Sequence, residues 1–244
     1  VTAAEPGTDR GALAQRLSWL AAGTEFLVDA MASCTDAGAS TLLPEWSVAH
    51  LLAHVDRNAH ALANLLSWAR TGVPKPMYFT PDERAAGIAE GALLPLETLI
   101  HQVTESSAML DAAMAGLDAR HWSARVRSAQ GRAITAAEVP WMRNREVWIH
   151  AVDLTDSSQF GRIPPDIARA LILDVAATVG AKLTTGFTIA FSDVLGDQVR
   201  VGPAPGLTVV LASQPDALCW LTGRGIPTAL VADQGSVPAL PSWM

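Results

Sequence analysis

The stretch Val139-Pro140-Trp141-Met142-Arg143-Asn144-Arg145-Glu146-Val147-Trp148-Ile149-His150-Ala151-Val152-Asp153-Leu154 constrains this chain more than any other. Proline suits the first turn of a helix, where its missing N–H is not needed, and no breaker follows Pro140 for several turns. Apolar residues at Trp141, Val147, Trp148, Ile149, Val152 and Leu154 cover much of the circumference, which predicts a helix buried in a bundle. Glu146 and His150 stand i, i+4 within it and share one face. A buried carboxylate is costly unless it is paired or bound to a metal. The two residues therefore form either a carboxylate–imidazole hydrogen bond or two ligands of a metal ion.

The same spacing recurs upstream, in Trp46-Ser47-Val48-Ala49-His50-Leu51-Leu52-Ala53-His54-Val55-Asp56-Arg57-Asn58, where His50 and His54 lie i, i+4 on an apolar helix. If a third ligand joins Glu146 and His150, one of these two is the best candidate. Two histidines and one carboxylate, with a position left open, make a catalytic rather than a structural zinc set. Core histidines held by ordinary hydrogen bonds are the competing reading. His60, His101 and His121 occur singly and read as surface or capping groups. Asp153 and Asp156 read as helix-end groups, or as acceptors for the far nitrogen of a ligating histidine.

A bundle needs chain length and apolar content, and both are present. The 244 residues (25.7 kDa) are 50% hydrophobic and 17% charged, enough for a sizeable packed core in one large domain or two smaller ones. A net charge of −7 and a pI near 5.3 offer no basic footprint for nucleic acid. No apolar run reaches the roughly 18 residues of a membrane span. The first ten residues carry Glu5 and Asp9 and lack a signal peptide's basic start and apolar core. A soluble cytoplasmic protein is the expectation. Cys34 and Cys219 lack metal-ligand spacing and read as reduced structural residues.

Taken in order, the first two-thirds is helical. Residues 10–31 form one amphipathic segment, and 34–45 a loop. Ser47 caps a helix that runs to about Arg70, and Thr71-Gly72-Val73-Pro74 ends it. Residues 77–91 read as a connection with a single turn of helix at Pro81-Asp82-Glu83-Arg84. A long helix spans about 95–116, 122–130 is irregular or extended, Gly131 turns, and the Glu146 helix completes four long helices. After Pro164-Pro165 the texture changes. A helix over 166–182 gives way to strand-like runs at 187–191, 198–201 and 207–211, a helix at 215–222 opened by Ser213 or Asp216, and a short piece at 229–232. The expected class is α+β, with a helical bundle over residues 1–160 and a small α/β domain over residues 161–244.

Gly223-Arg224-Gly225 stands out in the second part. Glycine on both sides leaves the guanidinium uncrowded and able to fork onto a carboxylate, although a solvated surface turn has the same sequence. No dinucleotide fingerprint, P-loop or nucleophile elbow occurs.

Four blocks together resemble one family: Trp46 to Val55, Thr71-Gly72 with Pro76-Met77-Tyr78, Ala129-Gln130-Gly131-Arg132, and Trp141 to Leu154. The chain resembles the mycothiol-dependent maleylpyruvate isomerases, most densely in the helical part and more weakly between Asp156 and Pro215. The resemblance implies a DinB-like four-helix bundle followed by a small sterol-carrier-like α/β domain. It implies a divalent metal, usually zinc (Zn2+), held by His54, Glu146 and His150, with His50 a neighbour and not a ligand. It also implies mycothiol as thiol cosubstrate, a small-molecule dicarboxylate as substrate, and a substrate-handling arginine at Arg224. Arg84, in a loop near the helix ends, is a second candidate for the dianion.

Maleylpyruvate carries a cis double bond conjugated to carbonyl groups. A thiolate that adds to the alkene makes that bond temporarily single; rotation and elimination then leave the trans isomer, fumarylpyruvate. A metal can deprotonate the thiol or stabilise the developing enolate. Two other functions suit the same residues: a mycothiol S-transferase that conjugates electrophiles, and a non-catalytic metal-binding bundle.

Overall fold

A computed structural model describes residues 10–204 and 206–243; the opening residues with Glu5 and Asp9 lie outside them. The chain divides into two compact units, Val1–Thr155 and Asp156–Met244.

Four long helices build the first unit: α1 (Arg10–Ala32), α2 (Val48–Thr71), then, after the shorter α3 (Pro81–Gly91), α4 (Leu96–Ala115). The short α5 (Ala119–Trp122) and the hairpin β1 (Arg125–Arg127) and β2 (Ala133–Thr135) lead into α6 (Val139–Asp153). Helix α1 packs along α6, and α2 packs against α4 and α6. The helical period explains these contacts. Leu20, Gly23, Leu27 and Ala30 form a buried stripe on α1, and Leu51, Leu52, Val55, Leu62, Leu65 and Leu66 are buried on α2. Each fully buried leucine contributes roughly 1.5–3 kcal/mol relative to exposure. Gly23 permits the close approach of α1 to α6, since a Cβ there would lie 2.6 Å from Trp148 Nε1. Polar ties fix the register of that pair. Asn144 Nδ2 donates to Arg16 O (2.9 Å), and Trp148 Nε1 donates to Trp19 O (3.3 Å).

Helix ends follow local chemistry. Ser47 caps α2, with its Oγ 2.8 Å from His50 Nδ1, so His50 completes a capping box. Gly72, in the left-handed region at φ 73°, closes α2 and donates to Trp68 O. The single helical turn expected at Pro81-Asp82-Glu83-Arg84 is instead an 11-residue helix. Thr80 accepts from the Glu83 N–H, Pro81 sits in the first turn, and Asp82 and Glu83 complement the positive helix end. The expected irregular or extended stretch near Gly131 is extended as a hairpin, with Val126 opposite Ile134 and Gly131 at φ 78° in the turn.

The second unit opens with a 3-10 turn at Ser157–Arg162, followed by α7 (Pro165–Gly180). Strands β3 (Phe187–Phe191), β4 (Gln198–Val201) and β5 (Val209–Ala212), helix α8 (Gln214–Leu221) and β6 (Val231–Ala232) follow. The sheet order is β4-β3-β5-β6, with β3 and β5 parallel and the outer pairs antiparallel. Phe187, Ile189, Phe191, Val199, Val201 and Val210 alternate with less buried residues, as a half-covered sheet requires. The Phe187 and Trp220 rings meet with centroids 5.2 Å apart. Ser213 caps α8, its Oγ accepting from Asp216 N. The architecture is α+β, a helical unit followed by a small sheet unit, as expected. Among the described residues, no helix is long and apolar enough to cross a membrane.

Candidate metal site

Helix α2 delivers His54 and helix α6 delivers Glu146 and His150 to one point inside the first unit. One ligand atom from each lies within 4.8 Å of the others. His54 Nε2 is 3.0 Å and His150 Nε2 is 3.2 Å from Glu146 Oε2. Both imidazoles are buried, and the Glu146 side chain retains 15% exposure. Of the three side chains, that of Glu146 is the most exposed. His50 is absent from the trio because its ring is engaged in the α2 cap.

Electrostatics at this point are those of a strongly coupled cluster. Burial pushes the Glu146 carboxyl up, but hydrogen bonds from His150 and His54 outweigh it and hold Glu146 well below the usual carboxylate range. Burial lowers the His54 pKa, and contact with Glu146 only partly offsets that. Burial also opposes a charged His150, yet hydrogen bonds to Asp153 and Glu146 prevail and raise its pKa.

These residues fit a divalent ion. His150 Nδ1 donates to the fully buried Asp153 Oδ2 at 2.8 Å, which orients the ring with Nε2 toward Glu146; an ion bound there would replace the Nε2 proton. Two imidazoles and a carboxylate suit zinc or a neighbouring first-row ion. On the other imidazole, Arg84 Nη2 lies 3.4 Å from His54 Nδ1. In this arrangement Nδ1 accepts and Nε2–H donates to Glu146. Ligation through Nε2 would move that proton to Nδ1, where it would face a second donor and turn the exposed Arg84 side chain away. The Tyr78 phenol hydrogen-bonds Arg84, and burial raises its pKa. The Trp46 ring closes over His54 at 5.3 Å, edge to face.

Arg143 was not singled out from the sequence as a structural residue, yet it is the largest side chain in the fully buried set. Its Nη1 donates to Val55 O (2.8 Å) and Asn58 Oδ1 (2.9 Å), and its Nη2 to Ser107 Oγ (3.2 Å). Burial pulls its pKa down to about 10, and the Glu146, Asp111 and Asp56 carboxylates resist that shift. The available signal was its register, since 143, 147, 150 and 154 share one stripe of α6.

The second unit holds Arg224 half-buried on a turn between Gly223 (φ 76°) and Gly225 (φ 142°). Its Nη1 donates to Thr222 O, and its guanidinium lies 5.7 Å from the centroid of Trp243. Arg224 and Cys219 line a cavity of about 320 Å³ within this unit. Burial first, and then the Asp216 charge, push the Cys219 thiol up to about 11, and burial also raises Cys34. Neither is a ready thiolate at neutral pH. His60, His101 and His121 lie apart from the trio. The exposed His60 faces the buried Asp56, His101 faces Glu105 on an exposed helix surface, and His121 joins the Asp118 cap of α5.

Residues 13–155 match the family model described as the mycothiol maleylpyruvate isomerase N-terminal domain. Two solved structures resemble the whole chain: the mycothiol-dependent maleylpyruvate isomerase and a histidine-to-alanine mutant of it. Both are 35% identical, with TM-scores of 0.87 and 0.88, over 95% of this chain and 97% of theirs. No curated protein matches the chain.

Proposed function

The chain belongs to the mycothiol maleylpyruvate isomerase family, and on that footing we propose that it isomerises maleylpyruvate to fumarylpyruvate with mycothiol as cosubstrate. The observation that carries this reading is the buried trio His54, Glu146 and His150, oriented by Asp153. A divalent ion held there would make a thiolate available near neutral pH by lowering the thiol's pKa. The protein's own thiols, with raised pKa values, do not compete for that role.

The remaining residues act on the substrate. A dicarboxylate approaching a protein of net charge −7 needs local cations. Arg84, beside His54, is assigned to a substrate carboxylate, and Arg224 is proposed as a further substrate-handling arginine. A forked guanidinium–carboxylate contact contributes roughly 1.5–3 kcal/mol and fixes orientation as well as charge. With the carboxylates anchored, sulfur bonds to one alkene carbon and the π electrons shift onto the conjugated carbonyl oxygen. The former double bond rotates, the electrons return, and the C–S bond breaks. No atom is gained or lost, and the thiol is regenerated.

The deciding assay follows maleylpyruvate loss and fumarylpyruvate appearance with and without mycothiol, before and after chelation of metal. Turnover that needs both supports the proposal. Accumulation of a stable mycothiol adduct would instead assign thiol transfer, and turnover without mycothiol would overturn the reading.

A further inference from the structure

A groove of about 310 Å³ lies between α2 and α3 and begins at the guanidinium that touches the metal ligand. From α2 it is lined by Arg57, Ala61 and Asn64, and from α3 by Arg84, Gly87 and Glu90. The α2 residues stand 3, 7 and 10 positions after His54, which keeps them on its stripe and carries them about 4.5, 10 and 15 Å along the axis. The α3 residues are spaced three apart and form the facing wall. A Cβ on Gly87 would come within 3.4 Å of Arg57 Nε, so the missing side chain lets the arginine stem lie against α3.

The floor is small and apolar, and the rim is polar with both signs. Glu83 also borders the groove, but its carboxylate accepts from the Phe79 N–H at the start of α3. Outside Arg84, the rim carries Arg57 and Glu90, with the His60 ring, which faces Asp56, beside them. A dianion gains nothing from such a balanced rim. A neutral polyhydroxyl ligand suits it, with its C–H face on Ala61 and Gly87 and its hydroxyls toward the Arg57, Asn64 and Glu90 side chains.

We propose that this groove binds the sugar portion of the thiol cosubstrate, a neutral pseudodisaccharide of glucosamine and inositol, along α2 from His54. The inference rests on the mycothiol-dependent reading above and adds a place for the cosubstrate's larger half. Five covalent bonds separate the sulfur of mycothiol from its first sugar ring, roughly 6 Å when extended. A sulfur near His54 thus puts the glucosamine beside Arg57 and Ala61 and the inositol toward Asn64.

Two variants fill the groove from α3 without touching the metal ligands, Gly87→Leu and Glu90→Trp. Both keep helix-compatible residues, and circular dichroism and metal content check that they fold. The first measurement is binding of the thiol-free, N-acetylated glucosaminyl-inositol, which keeps the neutral amide, to the intact protein by saturation-transfer NMR and calorimetry. The wild type should bind, and each variant should weaken binding tenfold or more. In the coupled assay the KM for mycothiol should rise tenfold or more, with kcat and the KM for maleylpyruvate within about twofold of wild type. If the wild type uses mycothiol but both folded variants keep its KM, the groove assignment is overturned and the thiol-dependent reading stands. If the wild type neither turns over with mycothiol nor binds the pseudodisaccharide, both are overturned.

Discussion

Within the first unit five acidic or basic side chains, His54, Asp56, Arg143, His150 and Asp153, are buried, whereas the buried polar side chains described in the second are Gln214 and Thr222, along with the Cys219 thiol. Charge inside a fold is costly unless each group finds a partner, and the first unit supplies them. Arg143 reaches two α2 acceptors and one on α4, His150 has Asp153, and Glu146 has both imidazoles. The second unit keeps Arg224 half-buried, on a glycine-flanked turn against an aromatic ring. One unit holds its charged groups by burial and the other holds Arg224 on a turn.

That contrast can be broken most severely at the trio. The His54→Ala, His150→Ala double variant should lose essentially all bound metal and all turnover while the bundle stays helical. Elemental analysis and circular dichroism check this, and stoichiometric metal in the folded variant would sink the ligand assignment. Next in size is Arg143→Met, which leaves Asn58, Ser107 and the Val55 carbonyl without their buried donor. A loss of about 3–5 kcal/mol in denaturant unfolding is expected. A loss under about 1 kcal/mol would mean that these acceptors find other partners at little cost.

A smaller and different effect is expected in the second unit. Arg224→Lys should lower kcat/KM tenfold or more, since an ammonium cannot reproduce the planar fork, with melting temperature and metal content near wild type. A Trp243→Leu variant should show a weaker form of the same defect. Arg224→Ala with normal kcat/KM would remove the second unit from the chemistry.

The smallest effects belong to the thiols. Cys34→Ser and Cys219→Ser should keep near-normal activity. Because the Cys219 pKa is raised, its thiolate is scarce at neutral pH, so alkylation of the native protein should be slow and quicken as pH climbs toward 11. Rapid modification of Cys219 at pH 7 would contradict its burial.

Much of the first unit was legible because helical spacing is short-range information. The Glu146–His150 pair, the Ser47 cap and the limits of α1, α2 and α4 all follow from residues within a few turns of one another. Helix α3 was underestimated because Gly87 and Gly91 weaken its propensity and few large apolar residues mark a period. Its cap at Thr80 and its tertiary place on α2 outweigh that deficit. Arg143 escaped notice because a buried arginine is rare, and its acceptors lie 36 to 88 residues away. The partner of His54 could not be deduced either, since Arg84 meets it only through the packing of α3 against α2.

The trio joins residues 92 positions apart, and α1 is tied to α6 across 129. On the ribosome, His54 therefore emerges well before Glu146 has been made, by about 5–20 s at ordinary synthesis rates. Through that interval the nascent chain lacks both α6 ligands, the Glu146 carboxylate and the His150 imidazole. An ion that needs all three ligands would be held only after the late, long-range closure of α6 between α1 and α2.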